Sequence, residues 1–187
     1  MATVEAKSKV VTPKFRCSYL YVFEVKKWED KTPDKWRYEV DMLFPKSTDL
    51  TALKEMANEA AIKEFGNDKS KWPDPIANPF KDGDKNKDPN YHGMTYISAK
   101  SKNQPGIVDS NKVEILNPRD FKSGDYARAQ VTAFAYNVSG NAGVSIWMDN
   151  VQKLEDGDSF AAQADSPEAA FNDAVQSTGT RGGGDFF

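Results

Sequence analysis

Residues 126–153 read YARAQVTAFAYNVSGNAGVSIWMDNVQK. Up to Tyr136 the residues alternate, with Ala127, Ala129, Val131, Ala133 and Ala135 on one side. Tyr126, Arg128, Gln130, Thr132, Phe134 and Tyr136 stand on the other. A period of two places one set in a core and the other toward water. The span Asn137 to Ala142, with Gly140-Asn141 inside it, has the composition of a hairpin turn, and Gly143 to Lys153 returns.

A second antiparallel pair is predicted near the start of the chain. Phe15, Cys17, Tyr19, Tyr21 and Phe23 share one face of a strand over 15–23. A charged loop, EVKKWEDKTPDKW, leads to a strand over 36–44 with Trp36, Tyr38, Val40, Met42 and Phe44 on one side, ended by Pro45. The period then changes. Ser47, Thr48 or Asp49 can cap a helix with apolar positions Leu50, Leu53, Ala57, Ala60, Ala61 and Phe65, which Gly66 closes. Residues 67–90, with Pro73, Pro75, Pro79 and Pro89, read as a long irregular loop, and residues 91–100 as a third strand. Val113 to Leu116 forms a short apolar piece before Pro118. These elements predict a mainly β, OB-fold-like five-stranded antiparallel barrel over residues 14–158, with one helix between strands two and three. The commoner OB order puts the helix after strand three. Residues 1–13 read as a flexible N-terminal segment and 159–187 as an acidic, Gly-rich flexible tail.

Composition narrows the chemistry. The chain has 187 residues with one cysteine, Cys17, and one histidine, His92. An internal disulfide is therefore impossible, and the usual metal sites and Cys/His or Ser/His nucleophile systems lack parts. Neither a metal nor another cofactor is expected, and His92 is read as structural. No apolar run approaches the ~18 residues of a membrane span and the start lacks a signal-peptide pattern, so a cytoplasmic protein is expected. The segment DGDKNKD (82–88) begins like a calcium loop, but its sixth place is Lys87 and its twelfth is Gly93. The first should be glycine and the second a bidentate glutamate, so the segment reads as a solvated loop.

Charge is unevenly placed. From Glu155 to the end there are seven acids and one base, a net −6; the first 154 residues hold 24 bases and 21 acids, a net +3. That split suggests a body that meets polyanions and a tail that meets something else. Basic and aromatic residues interleave over Arg16, Tyr19, Lys26, Lys27, Trp28, Lys35, Trp36 and Arg37. Single-stranded nucleic acid requires this mixture, cations for phosphates and flat rings for bases. Aromatics at period two usually face a core, so Phe15, Tyr21, Tyr38 and Phe44 are assigned there. Trp28, between Lys27 and Glu29 in a polar loop, is assigned to binding.

Several stretches together resemble the single-stranded DNA-binding proteins of tailed bacteriophages. They are FRCSY (15–19), FPKSTDL (44–50), KDGDKNKDPNYHG (81–93), SAKSKNQPGIVD (98–109) and the run from Ser123 to Phe160. The resemblance implies an OB fold with the helix between strands two and three, and a groove that holds single-stranded DNA with little sequence preference. It adds Arg16, Tyr19, Lys46, Lys100, Lys102, Arg128, Phe134 and Tyr136 as candidate DNA-binding positions. Asn103-Gln104 stand where family members often carry a basic pair.

The resemblance further implies a non-catalytic role in phage DNA replication, recombination or repair in the cytoplasm of the infected bacterium. It implies an acidic tail with an aromatic end that recruits replication proteins, here through Asp185, Phe186 and Phe187 on a tether of three glycines. Homodimers are possible through tail exchange or an exposed barrel edge. Two other classes fit the residues alone: an adaptor or virion component that uses the barrel for a protein partner, and a nuclease built on carboxylates.

Overall fold

The protein is described by a computed structural model over residues 8–160. In chain order the elements are β1 (Lys9–Val11), β2 (Phe15–Lys26), β3 (Arg37–Pro45), α1 (Thr51–Phe65), β4 (Ile76–Ala77), β5 (Lys81–Asp82), β6 (Met94–Ser101), β7 (Gly106–Val108), β8 (Tyr126–Val138) and β9 (Asn141–Glu155). The hairpin on which the sequence reading rests is β8–β9. Its turn is tighter than the expected span: only Ser139 and Gly140 lie between the strands, at φ +52° and +80°. Positive φ at both central residues is what a two-residue turn needs to follow the twist of its strands, and glycine takes it without strain.

Pairing runs from β2 to β3, β6, β9 and β8, and β8 returns to β2. All neighbours are antiparallel except β6 and β9, which are parallel. The five-strand cycle is the OB order, with α1 between its second and third strands. Two seams are short. The β2–β8 and β6–β9 ladders hold two residue pairs each, so the barrel is partly open.

The alternation of β8 is realised without exception: Ala127, Ala129, Val131, Ala133 and Ala135 are all buried. Four of these five are alanines, which leaves room for α1 to lie against the strand with Leu53, Met56, Ala57 and Ala61 buried. None of the three capping candidates occupies the N-cap, which falls on Leu50; Asp49, one place earlier, supports the first turn instead, its Oδ1 accepting the Thr51 backbone N–H at 2.9 Å and the Thr51 hydroxyl at 2.6 Å. The same hydroxyl and amide hold the Asp49 carboxyl below its ordinary pKa. Gly66 ends the helix at φ +89° and donates its N–H to the Ile62 carbonyl at 2.8 Å.

Four expectations are corrected. The face shared by Phe15, Cys17, Tyr19, Tyr21 and Phe23 breaks at Tyr19, whose φ is +46°. The β2–β3 register shifts between Ser18 and Tyr21 and again before Lys26, and the first of these irregularities reverses the parity of the strand. Phe15 and Cys17 stay in the core, Val22 enters it, and Tyr19 and Tyr21 turn outward. Tyr21 is therefore not a core residue; Phe15 and Phe44 are, and Tyr38 is half-buried against the core. Second, Lys9 to Val11, read as part of a flexible segment, pair with Thr132 to Gln130 of β8. Third, Glu24 to Lys26, read as the start of the charged loop, continue β2.

Fourth, the irregular loop is ordered by short polar turns. Asp68, Asp82, Asn86 and Asp88 each accept the backbone N–H two residues on. That is the Asx-turn chemistry in which such residues replace secondary structure. Lys46 reaches into this loop and pairs with both Asp82 and Asp84, placing an ammonium among the carboxylates of the calcium-like segment. His92 Nε2 lies 3.0 Å from the Asn86 carbonyl. Tyr91 anchors the loop to the barrel, donating to Asp41 Oδ2 at 2.6 Å, with its ring buried against Tyr96.

Candidate nucleic-acid interface

The outward residues of the barrel can be followed across strands by register. Tyr21 on β2 lies opposite Glu39 on β3, and Glu39 opposite Lys100 on β6. Lys100 lies opposite Trp147 on β9, Trp147 opposite Thr132 on β8, and Thr132 opposite Lys9 on β1. Strands are spaced about 4.8 Å apart, so this row spans roughly 24 Å. One row lower, Asp41 accepts from Ser98 and Tyr91, and the loop carrying Tyr91 covers the barrel there. The upper row is partly open: Lys9 is exposed, Tyr21, Lys100, Trp147 and Thr132 are half-buried, and Glu39 is buried among them.

At the β2 end of the row the irregularities in that strand bring three rings together. The Lys26 ammonium lies 4.2 Å from the Trp28 ring centre, 5.4 Å from that of Tyr19 and 5.6 Å from that of Tyr21. Lys31 lies 4.4 Å from the same Trp28 ring, which is thus attended by two cations. Tyr19 is 50% exposed although it sits in the middle of a strand. A non-glycine residue at positive φ stores strain, and such residues concentrate where a side chain is being presented.

The loop behind the rings is held by its own backbone. The Trp36 indole N–H donates to the carbonyls of Trp28 at 3.3 Å and Lys31 at 3.2 Å. Arg37 donates to the carbonyls of Asp34 at 2.6 Å and Trp36 at 2.8 Å. A groove of about 720 Å³ runs beside the loop, lined by Tyr21, Lys26, Lys27 and Trp28 together with Glu24 and Glu29.

The structure brings part of the sequence-derived set to this face and leaves the rest elsewhere. Tyr19, Lys26 and Trp28 form the ring cluster, Lys27 and Lys35 belong to its loop, Arg37 opens β3 opposite Lys26, and Lys100 lies in the open row. Lys102 is exposed in the turn after β6. Arg16 is directed away: it donates to the carbonyls of Gly124 and Asp158, and its guanidinium lies 4.1 Å from the Phe160 ring centre. Lys46 is held by Asp82 and Asp84, which raise its pKa and offset its charge. Arg128 donates to Gln152 at 2.7 Å. Phe134 and Tyr136 lie toward the hairpin end of β8, Phe134 beside an apolar groove shared with Met56 and Ala60 of α1. Asp185, Phe186 and Phe187 lie outside the described residues.

Three residues of the open face are missing from that set. Tyr21 was assigned to the core because nothing in the alternation announces the bulge. Lys31 belongs to the same charged loop as Lys27 and Lys35. Trp147 had a readable signal: it lies between buried Ile146 and Met148 and so on the outward side of β9.

Residues 8–180 match the family described as the single-stranded DNA-binding protein of Enterobacter phage Enc34. A protein designated p50, from Acyrthosiphon pisum secondary endosymbiont phage 1, is 32% identical over 148 residues, covering 74% of this chain and 79% of p50. Among solved structures, the single-stranded DNA-binding protein from bacteriophage Enc34 in complex with single-stranded DNA matches with a TM-score of 0.67 at 22% identity, covering 82% of this chain and 89% of that one. Gp2.5, a single-stranded DNA-binding protein encoded by bacteriophage T7, matches with a TM-score of 0.60 at 15% identity, covering 95% of this chain and all of that one. At these identities the two structures share the fold with this chain.

Proposed function

The chain belongs to the phage single-stranded DNA-binding family typified by Enterobacter phage Enc34, a non-enzymatic family, and from that premise we propose how it binds and what it serves. Single-stranded DNA lies across the open row of the barrel, its bases stacking on Tyr19, Tyr21 and Trp28 at one end and Trp147 further along. Its phosphates are met by Lys27, Lys31, Lys35 and Lys100. No base edge is read, so binding is indifferent to sequence. The protein acts in phage DNA replication, recombination or repair in the cytoplasm of the infected cell. The acidic tail over 159–187 recruits replication proteins, with Phe186 and Phe187 as apolar anchors and Asp185 as the charge beside them.

The observation that carries this reading is the outward turn of β2 at Tyr19, which exposes Tyr19 and brings half-buried Tyr21 and Trp28 beside it among cations. Rings stack any base by its flat face, with about 1–3 kcal/mol lost per base when a ring is removed, and cations draw the backbone without reading it. Tryptophan emission tests it. The chain has four tryptophans. Trp36 and Trp72 donate their indole N–H to backbone carbonyls within the fold, Trp72 to that of Gly66 at 2.8 Å. Oligo(dT) at low salt is expected to quench the emission of Trp28 and Trp147, and added salt to restore it. Unchanged emission at low salt contradicts the reading.

A further inference from the structure

Two carboxylates are buried among the described residues, Asp125 and Glu39. Asp125 lies behind the barrel seam, where it has structural partners. Glu39 lies in the middle of the open row, 6% exposed, with Tyr21 opposite it on one strand and Lys100 on the other. A fixed negative charge at the centre of a surface that receives a polyanion is a local conflict, and local conflicts mark positions held for another reason. The reason visible here is Lys26. Its ammonium lies 3.1 Å from Glu39 Oε1, and its side chain is 19% exposed. The same ammonium is the common neighbour of the Tyr19, Tyr21 and Trp28 rings.

We infer that Lys26 is a positioning residue for the three stacking rings rather than a phosphate ligand, and that Glu39 fixes it in that place. This rests on the reading of the open row as the single-strand site. The reasoning is one of competing partners. For Lys26 to neutralise a phosphate it must leave Glu39, and a buried carboxylate stripped of its cation costs more than a water-exposed ion pair returns. Lys26 therefore keeps Glu39 when DNA arrives, and the pair enters and leaves the complex with no net charge. Its contribution is geometric: an ammonium attracted to three ring faces keeps the rings around one point. The phosphate contacts fall to Lys100 and to the exposed lysines of the loop, which lack a carboxylate at this distance among the pairs formed by described residues.

The salt dependence of oligo(dT) binding distinguishes a positioning cation from a phosphate ligand. Each phosphate neutralised on a single strand contributes about 0.7 to the slope of log K against log salt. The variants are Lys100→Met and the charge-balanced pair Lys26→Met with Glu39→Gln, measured beside the unaltered protein. Lys100→Met is expected to flatten the slope by about 0.7. The Lys26/Glu39 double variant is expected to keep the slope, to bind about tenfold more weakly as ring stacking is lost, and to show less tryptophan quenching at saturation with an unchanged thermal midpoint. A slope flattened in the double variant as in Lys100→Met, or unchanged affinity, overturns the inference. Should the double variant fail to fold, Glu39→Gln alone decides by sign: weaker binding despite the loss of an acid supports the inference, and tighter binding overturns it. Failure of the unaltered protein to bind oligo(dT) removes the premise itself.

Discussion

Replacing Tyr19 and Trp28 together by alanine is expected to weaken oligo(dT) binding by about 2–4 kcal/mol, roughly 30- to 700-fold, while leaving the fold intact. The magnitude follows from about 1–3 kcal/mol per stacked base, reduced somewhat because neighbouring substitutions add imperfectly. The fold should survive because neither ring fills the core: Tyr19 is exposed and Trp28 is half-buried on a polar loop. Removing Tyr19 also relieves little strain, since alanine at positive φ is disfavoured as well. The matching control is Tyr96→Ala, two rows lower, where the ring packs edge-on against Tyr91 at 4.9 Å and is tied to the covering loop. That change should cost stability rather than affinity. Equal losses of affinity at both places would mean that binding is spread over the barrel and not focused by the bulge.

The largest expected effect on stability belongs to Asp125. It is wholly buried, and its carboxylate accepts the backbone N–H of Lys122 at 2.9 Å and of Gly157 at 3.1 Å. It also pairs with the ammonium groups of Lys122 at 2.7 Å and Lys153 at 3.2 Å. These contacts tie the start of β8 to the chain after β9, where the backbone is so close that a Cβ on Gly124 would meet the Asp158 carbonyl at 2.1 Å. Asp125→Ala leaves two amides without their acceptor and takes a buried counter-charge from Lys122 and from Lys153, which keeps only Asp156 among the described residues, and is expected to cost about 3–5 kcal/mol in denaturant unfolding.

Burial opposes ionisation of this group, but the hydrogen bonds from Lys122 and Gly157 and the pair with Lys153 outweigh it and hold the carboxyl below its ordinary pKa. A carboxyl depressed in the folded state stabilises above its unfolded value and loses that contribution as pH falls through its folded one. The unaltered protein should therefore lose stability below about pH 4, and Asp125→Asn should be less stable at neutral pH and lose less on acidification. A cost under about 1 kcal/mol for Asp125→Ala, the level of an exposed pair, would contradict this account of the seam.

The barrel was legible because its longest hairpin alternates strictly and its helix changes the period at a proline. The helix order was legible too, since Pro45, the polar turn at Asp49 and the closing Gly66 sit between the second and third strand patterns. The site was legible in part. Lysines, tyrosines and tryptophans in the first two strands pointed to a polyanion surface, and Tyr19, Lys26, Trp28 and Lys100 lie on the face proposed here for it. The bulge was not legible, because a register shift depends on how β2 meets β3 and leaves the spacing of Phe15, Cys17 and Tyr21 looking regular. Arg16 and Lys46 lie off that face for a related reason. A cation in a strand sequence is blind to the carbonyls of Gly124 and Asp158, or to the carboxylates of Asp82 and Asp84, that distant segments bring to it.

The central claim is that single-stranded DNA crosses the open outer row of the barrel, from the ring cluster on β2 to Trp147 on β9. Photocrosslinking of an oligo(dT) carrying bromodeoxyuridine, followed by mapping of the linked residues, tests it most directly. Crosslinks at Tyr19, Tyr21, Trp28 and Trp147 are predicted. Crosslinks confined to Trp72, Phe80 or the groove between α1 and β8, with the outer row unmarked, would contradict it.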